Sequence, residues 1–84
     1  MNQPAHVIIY SKPGCHLCEE MKAEIERADC SSLYNLEEID INSDPALLAR
    51  YRYDIPVLLI EGVEAFRHRL SAEQFRNYLK GLDR

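Results

Sequence analysis

The segment Tyr10-Ser11-Lys12-Pro13-Gly14-Cys15-His16-Leu17-Cys18 constrains this chain more than any other. It lies between a short apolar run, Val7-Ile8-Ile9-Tyr10, and a stretch with helical periodicity, so it must carry the backbone out of a strand and into a helix. Pro13 and Gly14 supply the sharp turn. Two cysteines three positions apart lie on nearly one face of a first helical turn, where they can close a disulfide and cycle between dithiol and disulfide. Cys15 falls at the helix start, where unpaired backbone N–H groups and the positive end of the helix dipole stabilise a thiolate; Cys18, one turn in, is more sheltered. Cys15 is therefore expected to attack and Cys18 to resolve, with the Cys15 pKa lowered. Lys12 and His16 bring cations to the thiols, whereas Glu19 and Glu20 either oppose them or serve as partners of the helix dipole.

Length and charge narrow what can surround this segment. With 84 residues the chain is expected to form one domain, 1–84, burying roughly 60–65% of its unfolded surface around a single core. A charged fraction of 29% beside 46% apolar residues indicates a soluble globular chain rather than a disordered one. The net charge of −4 argues against a nucleic-acid partner, and no apolar run is long enough to span a membrane. Acids crowd the stretch from Glu19 to Asp44, while Arg67, Arg69, Arg76, Lys80 and Arg84 make the last quarter basic. These read as two solvated faces or as a docking surface for a charged partner. Met1-Asn2-Gln3-Pro4-Ala5-His6 has neither a basic region nor an apolar signal core, so a cytoplasmic location with reduced cysteines is expected.

In chain order, Val7 to Tyr10 has the continuous β-branched pattern of a central strand buried on both faces. The helix that follows runs to about Ala28, with Leu17, Met21, Ile25 and Ala28 as its apolar stripe. Leu36 to Ile41 returns to strand character with Ile39 and Ile41 inward, and strand–helix–strand order implies a parallel pair. Asp44 and Pro45 cap a short helix over Ala46 to Arg50 or Tyr51. Asp54-Ile55-Pro56 heads an apolar strand, Val57 to Ile60, and Glu61-Gly62 turns it into a returning strand, Val63 to about His68, of poor alternation. Ser71-Ala72-Glu73-Gln74 is a capping box, with Leu70 and Phe75 as a hydrophobic staple and Phe75, Tyr78, Leu79 and Leu82 as the buried stripe. The order β-α-β-α-β-β-α gives an α/β fold with a four-stranded mixed sheet flanked by helices.

The segment from Tyr10 through Cys15-x-x-Cys18, together with Ile55-Pro56-Val57 downstream, resembles the active-site and proline segments of glutaredoxins. The likeness spans nearly the whole chain and is nearest to short glutaredoxin-like proteins of bacteria. It implies a minimal thioredoxin fold, Cys15 as nucleophile, Cys18 as resolving cysteine, and a cis Ile55–Pro56 bond facing the disulfide. Only about 5–6% of X–Pro bonds in folded proteins are cis, so the resemblance, not the residue, carries that expectation. It also implies that Lys12, His16, Leu17, Ile55 and Pro56 border the substrate. The sequence departs from the family by placing His16 and Leu17 between the cysteines, where glutaredoxins have Pro-Tyr, and by lacking the Gly-Gly-x-x-Asp segment that holds glutathione. In its place stands Phe66-Arg67-His68-Arg69-Leu70-Ser71, which offers either cations and a helix start to a carboxylate, or an exposed strand end and a cap.

The expected function is that of a small monomeric thiol–disulfide oxidoreductase, acting on a disulfide-containing protein or small molecule. It needs no tightly bound cofactor, and is recharged by glutathione or by a thioredoxin-reductase-like donor. The competing class is a non-catalytic thioredoxin-fold binding module or an iron–sulfur or metal carrier. A zinc site needs two further ligands, and Cys30, His6, His16 and His68 form no second closely spaced pair. Glu19 stands where covalent haem attachment requires histidine. Cys30 reads as a small helix-end or core residue, Tyr10 as core, and Tyr51 and Tyr53 as neighbours of the proline loop.

Overall fold

The structure, a computed structural model, describes residues 3–82. β1 (Ala5–Ser11) turns into α1 (His16–Arg27), followed by β2 (Tyr34–Asp40), α2 (Pro45–Tyr51), the hairpin β3 (Val57–Ile60) and β4 (Val63–Arg67), and α3 (Ala72–Lys80). Short 3-10 turns cover Ser31–Leu33 and Ile41–Ser43. The strands lie in the order β2-β1-β3-β4, with β1 parallel to β2 and antiparallel to β3, which is antiparallel to β4. This is the mixed sheet that the element order implies.

Two apolar clusters lie on opposite faces of the sheet, because successive strand residues point to opposite sides. The larger joins Ala5, Val7 and Ile9 of β1 and Leu58 and Ile60 of β3 to Met21, Ile25 and Ala28 from α1 and Phe75 and Leu79 from α3. The smaller joins Val57 to Cys18, Ile41, Tyr51 and Ile55, with Tyr10, Cys15, Leu47 and Leu48 packed against it. β1 is therefore fully buried on one face only: Ile8 and Tyr10 on the other are half-buried, since seven-residue α2 covers little of it.

Local chemistry accounts for the boundaries. Asp44 caps α2 by accepting the Ala46 N–H at 2.9 Å, with Pro45 at the first helical position. α3 has its full capping box: Ser71 Oγ accepts the Gln74 N–H at 3.1 Å and Gln74 Oε1 accepts the Ser71 N–H at 2.9 Å. Leu70 and Phe75, the staple pair, share the larger cluster. Glu61 and Gly62 both have positive φ, 53° and 81°, the twist a two-residue hairpin turn requires.

Three details differ from expectation. The α1 stripe is Cys18, Met21, Ile25 and Ala28; Leu17 is half-buried, because the core face passes one residue later and takes the second cysteine. β2 begins at Tyr34 and ends before Ile41, which is buried from the following 3-10 turn. The poor alternation of β4 is a bulge: Leu58 pairs with Phe66 and Leu59 with Glu64, so Ala65 is an extra residue and both it and Phe66 reach the larger cluster.

Phe75 has no solvent exposure, and its ring meets Tyr34 edge-on at 5.2 Å. Urea unfolding of Phe75→Ala is expected to show a loss of about 3–5 kcal/mol, against about 1 kcal/mol for Ser71→Ala. A Phe75→Ala loss no larger than that of the cap variant would contradict this account of the core.

Candidate active site

Cys15 is the N-cap of α1, and Cys15 and Cys18 form a disulfide with their Cα atoms 5.2 Å apart. Gly14, at φ 79°, adopts the left-handed conformation that glycine alone enters without strain, and so sets the turn between strand and cap. The Cys18 N–H points at Cys15 Sγ, 3.2 Å away, and the Cys15 N–H donates to the Lys12 carbonyl at 3.3 Å. Burial separates the two sulfurs: Cys18 is 1% exposed in the core face of α1, whereas Cys15 is only half-buried.

Ile55 and Pro56 are buried, Ile55 shares a cluster with both cysteines, and the Ile55–Pro56 bond is cis. The Ile55 N–H donates to Tyr51 O at 3.2 Å and Pro56 O accepts the His68 N–H at 2.8 Å, so much of the segment's backbone is engaged internally. Leu17 flanks the disulfide half-buried, and Lys12 is exposed. The His16 ring, 86% exposed, meets Glu20 with its Nε2 2.8 Å from the carboxylate. Tyr51 is buried and stacks on Tyr10 with ring centroids 4.9 Å apart; Tyr53 is 83% exposed and lies under Arg52 instead of packing on the proline loop.

Two ion networks that the sequence reading did not assemble brace the site. On one side Ser11 Oγ, at the end of β1, donates to Glu38 at 2.7 Å, and Lys22 of α1 bridges Glu38 and Glu19 at 3.0 and 2.9 Å. The Ser11 hydroxyl and the Lys22 ammonium hold the Glu38 carboxyl below its ordinary value, and Glu19 and Glu38 raise Lys22. On the other side Glu64 of β4 accepts from Tyr51 Oη at 2.8 Å and from Arg67 at 2.6 Å, and Arg67 also faces Asp54 at 3.4 Å. Burial, then Glu64, pushes the Tyr51 phenol up. Glu19–Lys22 and Glu64–Arg67 are local pairs three residues apart, but the members that complete each network come from other elements, so no local pattern announces the whole. Cys30 is half-buried against the larger cluster, and burial raises its thiol pKa.

The Phe66 to Ser71 segment is not an open anion site. Arg67 is taken by Glu64 and Asp54, Arg69 faces Glu20 at 3.7 Å, and the first N–H of α3, that of Ala72, donates to Glu24 of α1 at 2.9 Å. Among the described residues no group of three or more His, Cys, Asp or Glu side chains is placed to hold a metal ion, and no helix is long and apolar enough to cross a membrane.

The mixed sheet with a disulfide across the first turn of α1 defines a thioredoxin-fold protein with a Cys-x-x-Cys redox site. The family model described as Glutaredoxin-like domain (DUF836) matches residues 6–80, and the chain belongs to that family. A glutaredoxin-like protein of Dictyostelium discoideum is 25% identical over 82% of this chain and 69% of its own length. Protein Ne2328 of Nitrosomonas europaea superposes with a TM-score of 0.77 at 31% identity, covering 93% of this chain and 94% of that one. Thioredoxin-2 of a malaria parasite shares the fold, with a TM-score of 0.68 at 17% identity over 95% of this chain and 84% of its own.

Because Glu38 is more acidic folded than unfolded, its contribution is complete above the ordinary value of 4.5 and is lost as pH falls through the lower folded value. The melting-temperature gap between wild type and Glu38→Gln should therefore be widest near neutral pH and narrow as pH falls below the ordinary value of 4.5. An equal gap at both ends would remove Glu38 from the acid limb.

Proposed function

We propose that this protein is a small thiol–disulfide oxidoreductase that reduces disulfides through the Cys15–Cys18 couple. The observation that carries the reading is the unequal placement of the two sulfurs, with Cys15 at the helix cap and within reach of solvent and Cys18 in the core. In the reduced protein the Cys18 N–H and the start of α1 favour a Cys15 thiolate. That thiolate attacks one sulfur of the substrate disulfide, forming a mixed disulfide and expelling the first substrate thiolate. The Cys18 thiolate then attacks Cys15 Sγ, closing the internal disulfide and releasing the second. Two electrons pass to the substrate, and the protons of the two cysteine thiols neutralise the leaving thiolates.

The substrate lies against Lys12, His16, Leu17 and the Ile55–Pro56 segment. An extended peptide can donate an N–H to the Ile55 carbonyl, since the Ile55 N–H and the Pro56 carbonyl are already engaged. The substrate is a disulfide-bearing protein or small molecule, reduced by a monomer in the cytoplasm, where thiols are kept reduced. No tightly bound cofactor takes part. Glutathione and a thioredoxin-reductase-like flavoprotein are the two classes of donor able to reopen Cys15–Cys18.

Titration in redox buffers, with acid quenching, alkylation and mass spectrometry, tests the reading. A reversible Cys15–Cys18 disulfide is expected; Cys15→Ser should lose disulfide reduction to the level of the uncatalysed exchange, and Cys18→Ser should accumulate a mixed disulfide on Cys15. Full reductase activity in Cys15→Ser would overturn the proposal.

A further inference from the structure

A regular strand sends residues three apart to opposite faces of its sheet. Glu64 and Arg67 of β4 are three apart, yet their side chains meet at 2.6 Å. The bulge at Ala65 is the reason. Glu64 lies opposite Leu59 and Arg67 opposite Val57, and both of those residues pack in the smaller cluster, the one that holds the cysteines. The extra residue therefore turns an acid and a base toward the same side, beside the head of β3. There Glu64 gathers partners from two elements: its Oε2 accepts from Tyr51 Oη at 2.8 Å and from Arg50 at 3.3 Å, and its Oε1 accepts from Arg67, which also faces Asp54 at 3.4 Å.

These contacts close around the proline segment. Tyr51 O accepts the N–H groups of Asp54 and Ile55 at 2.8 and 3.2 Å, and the Asp54 carboxylate faces Arg67. The N–H of His68, next to Arg67, donates to Pro56 O at 2.8 Å. Asp54, Ile55 and Pro56 are thus each held by a residue that Glu64 contacts or by its chain neighbour. Ile55 in turn shares a cluster with Cys18 and Cys15. Tyr51 is 5% exposed, and Glu64 supplies the acceptor that its buried hydroxyl needs.

We infer that the β4 bulge builds a bracket in which Glu64 and Arg67 are positioning residues. Through Tyr51 and Asp54 they fix the Ile55–Pro56 segment, so that the Ile55 carbonyl meets the backbone of a peptide whose disulfide Cys15 attacks. The inference rests on the thiol–disulfide reaction proposed above, and it names the substrate class as an extended polypeptide disulfide. A small disulfide, which has no backbone to pair, gains nothing from the bracket.

Steady-state reduction of two neutral substrates tests this: a short blocked peptide carrying 2-mercaptoethanol as a mixed disulfide on its one cysteine, and hydroxyethyl disulfide. In each turnover the dithiol becomes Cys15–Cys18 as one substrate disulfide becomes two thiols, and added dithiothreitol restores the dithiol. Glu64→Gln turns an amide NH₂ toward one of its two donors, Tyr51 or Arg67; Tyr51→Phe removes only the hydroxyl. Both are expected to lower the ratio of peptide kcat/KM to hydroxyethyl disulfide kcat/KM by about three- to tenfold, the effect of one misaligned hydrogen bond, with the fall carried by KM. Should one variant fail to fold, as its melting curve shows, the other decides. A ratio unchanged in either folded variant, or a fall carried by kcat alone, overturns the inference while leaving the reaction in place. Failure of wild type to reduce hydroxyethyl disulfide overturns the thiol–disulfide reading itself, and this inference with it.

Discussion

The docking of α1 on the sheet is the interaction on which the rest depends. Met21 and Ile25, each 1% exposed, lock the helix against Val7, Ile9, Leu58 and Ile60. Burying side chains of this size contributes about 1.5–3 kcal/mol each, whereas an exposed ion pair contributes roughly 0–1 kcal/mol. Packing therefore sets the rotation of α1 about its axis, and the ion pairs follow. That rotation brings Cys18 into the core and leaves Cys15 at its edge, so a chemical asymmetry between two thiols originates in the position of two apolar residues further along the same helix.

The charges are organised around this packing. Lys22 leaves the side of α1 toward β2 and joins Ser11 and Glu38, whereas Glu24 leaves the other side and caps α3. Arg76 of α3 returns the contact, donating from both Nε and Nη2 to the Ala28 carbonyl at 3.0 and 2.8 Å at the far end of α1. The two helices thus satisfy one another's ends, carboxylate on the N-terminus and guanidinium on the C-terminus, in the sense the helix dipole favours. What reads in sequence as an acidic first half and a basic last quarter is in part these cross-element pairs.

The strand–turn–helix around Cys15, the capping box at Ser71, the Asp44-Pro45 cap and the Glu61-Gly62 turn are legible in the sequence because each depends on neighbours within about four residues. The α1 stripe was legible to within one position: a periodicity of 3.6 admits either Leu17 or Cys18 as its first member, and only tertiary packing, against Ile41, Tyr51, Ile55 and Val57, chooses Cys18. The broken alternation of Val63 to Arg67 was visible, but its cause was not, since a bulge is defined by the opposite strand.

For the candidate site the division is similar. The sequence by itself determined which groups could do the chemistry: two cysteines three apart at a helix start, and a proline heading an apolar strand, all consequences of short-range geometry. Tertiary structure decided how exposed each sulfur is and which carboxylate occupies the start of α3. Those depend on contacts such as Glu24 with Ala72, 48 residues apart. A hydrogen bond or ion pair forms only between groups that packing has already brought within about 3–4 Å, and no local pattern of residues records that separation.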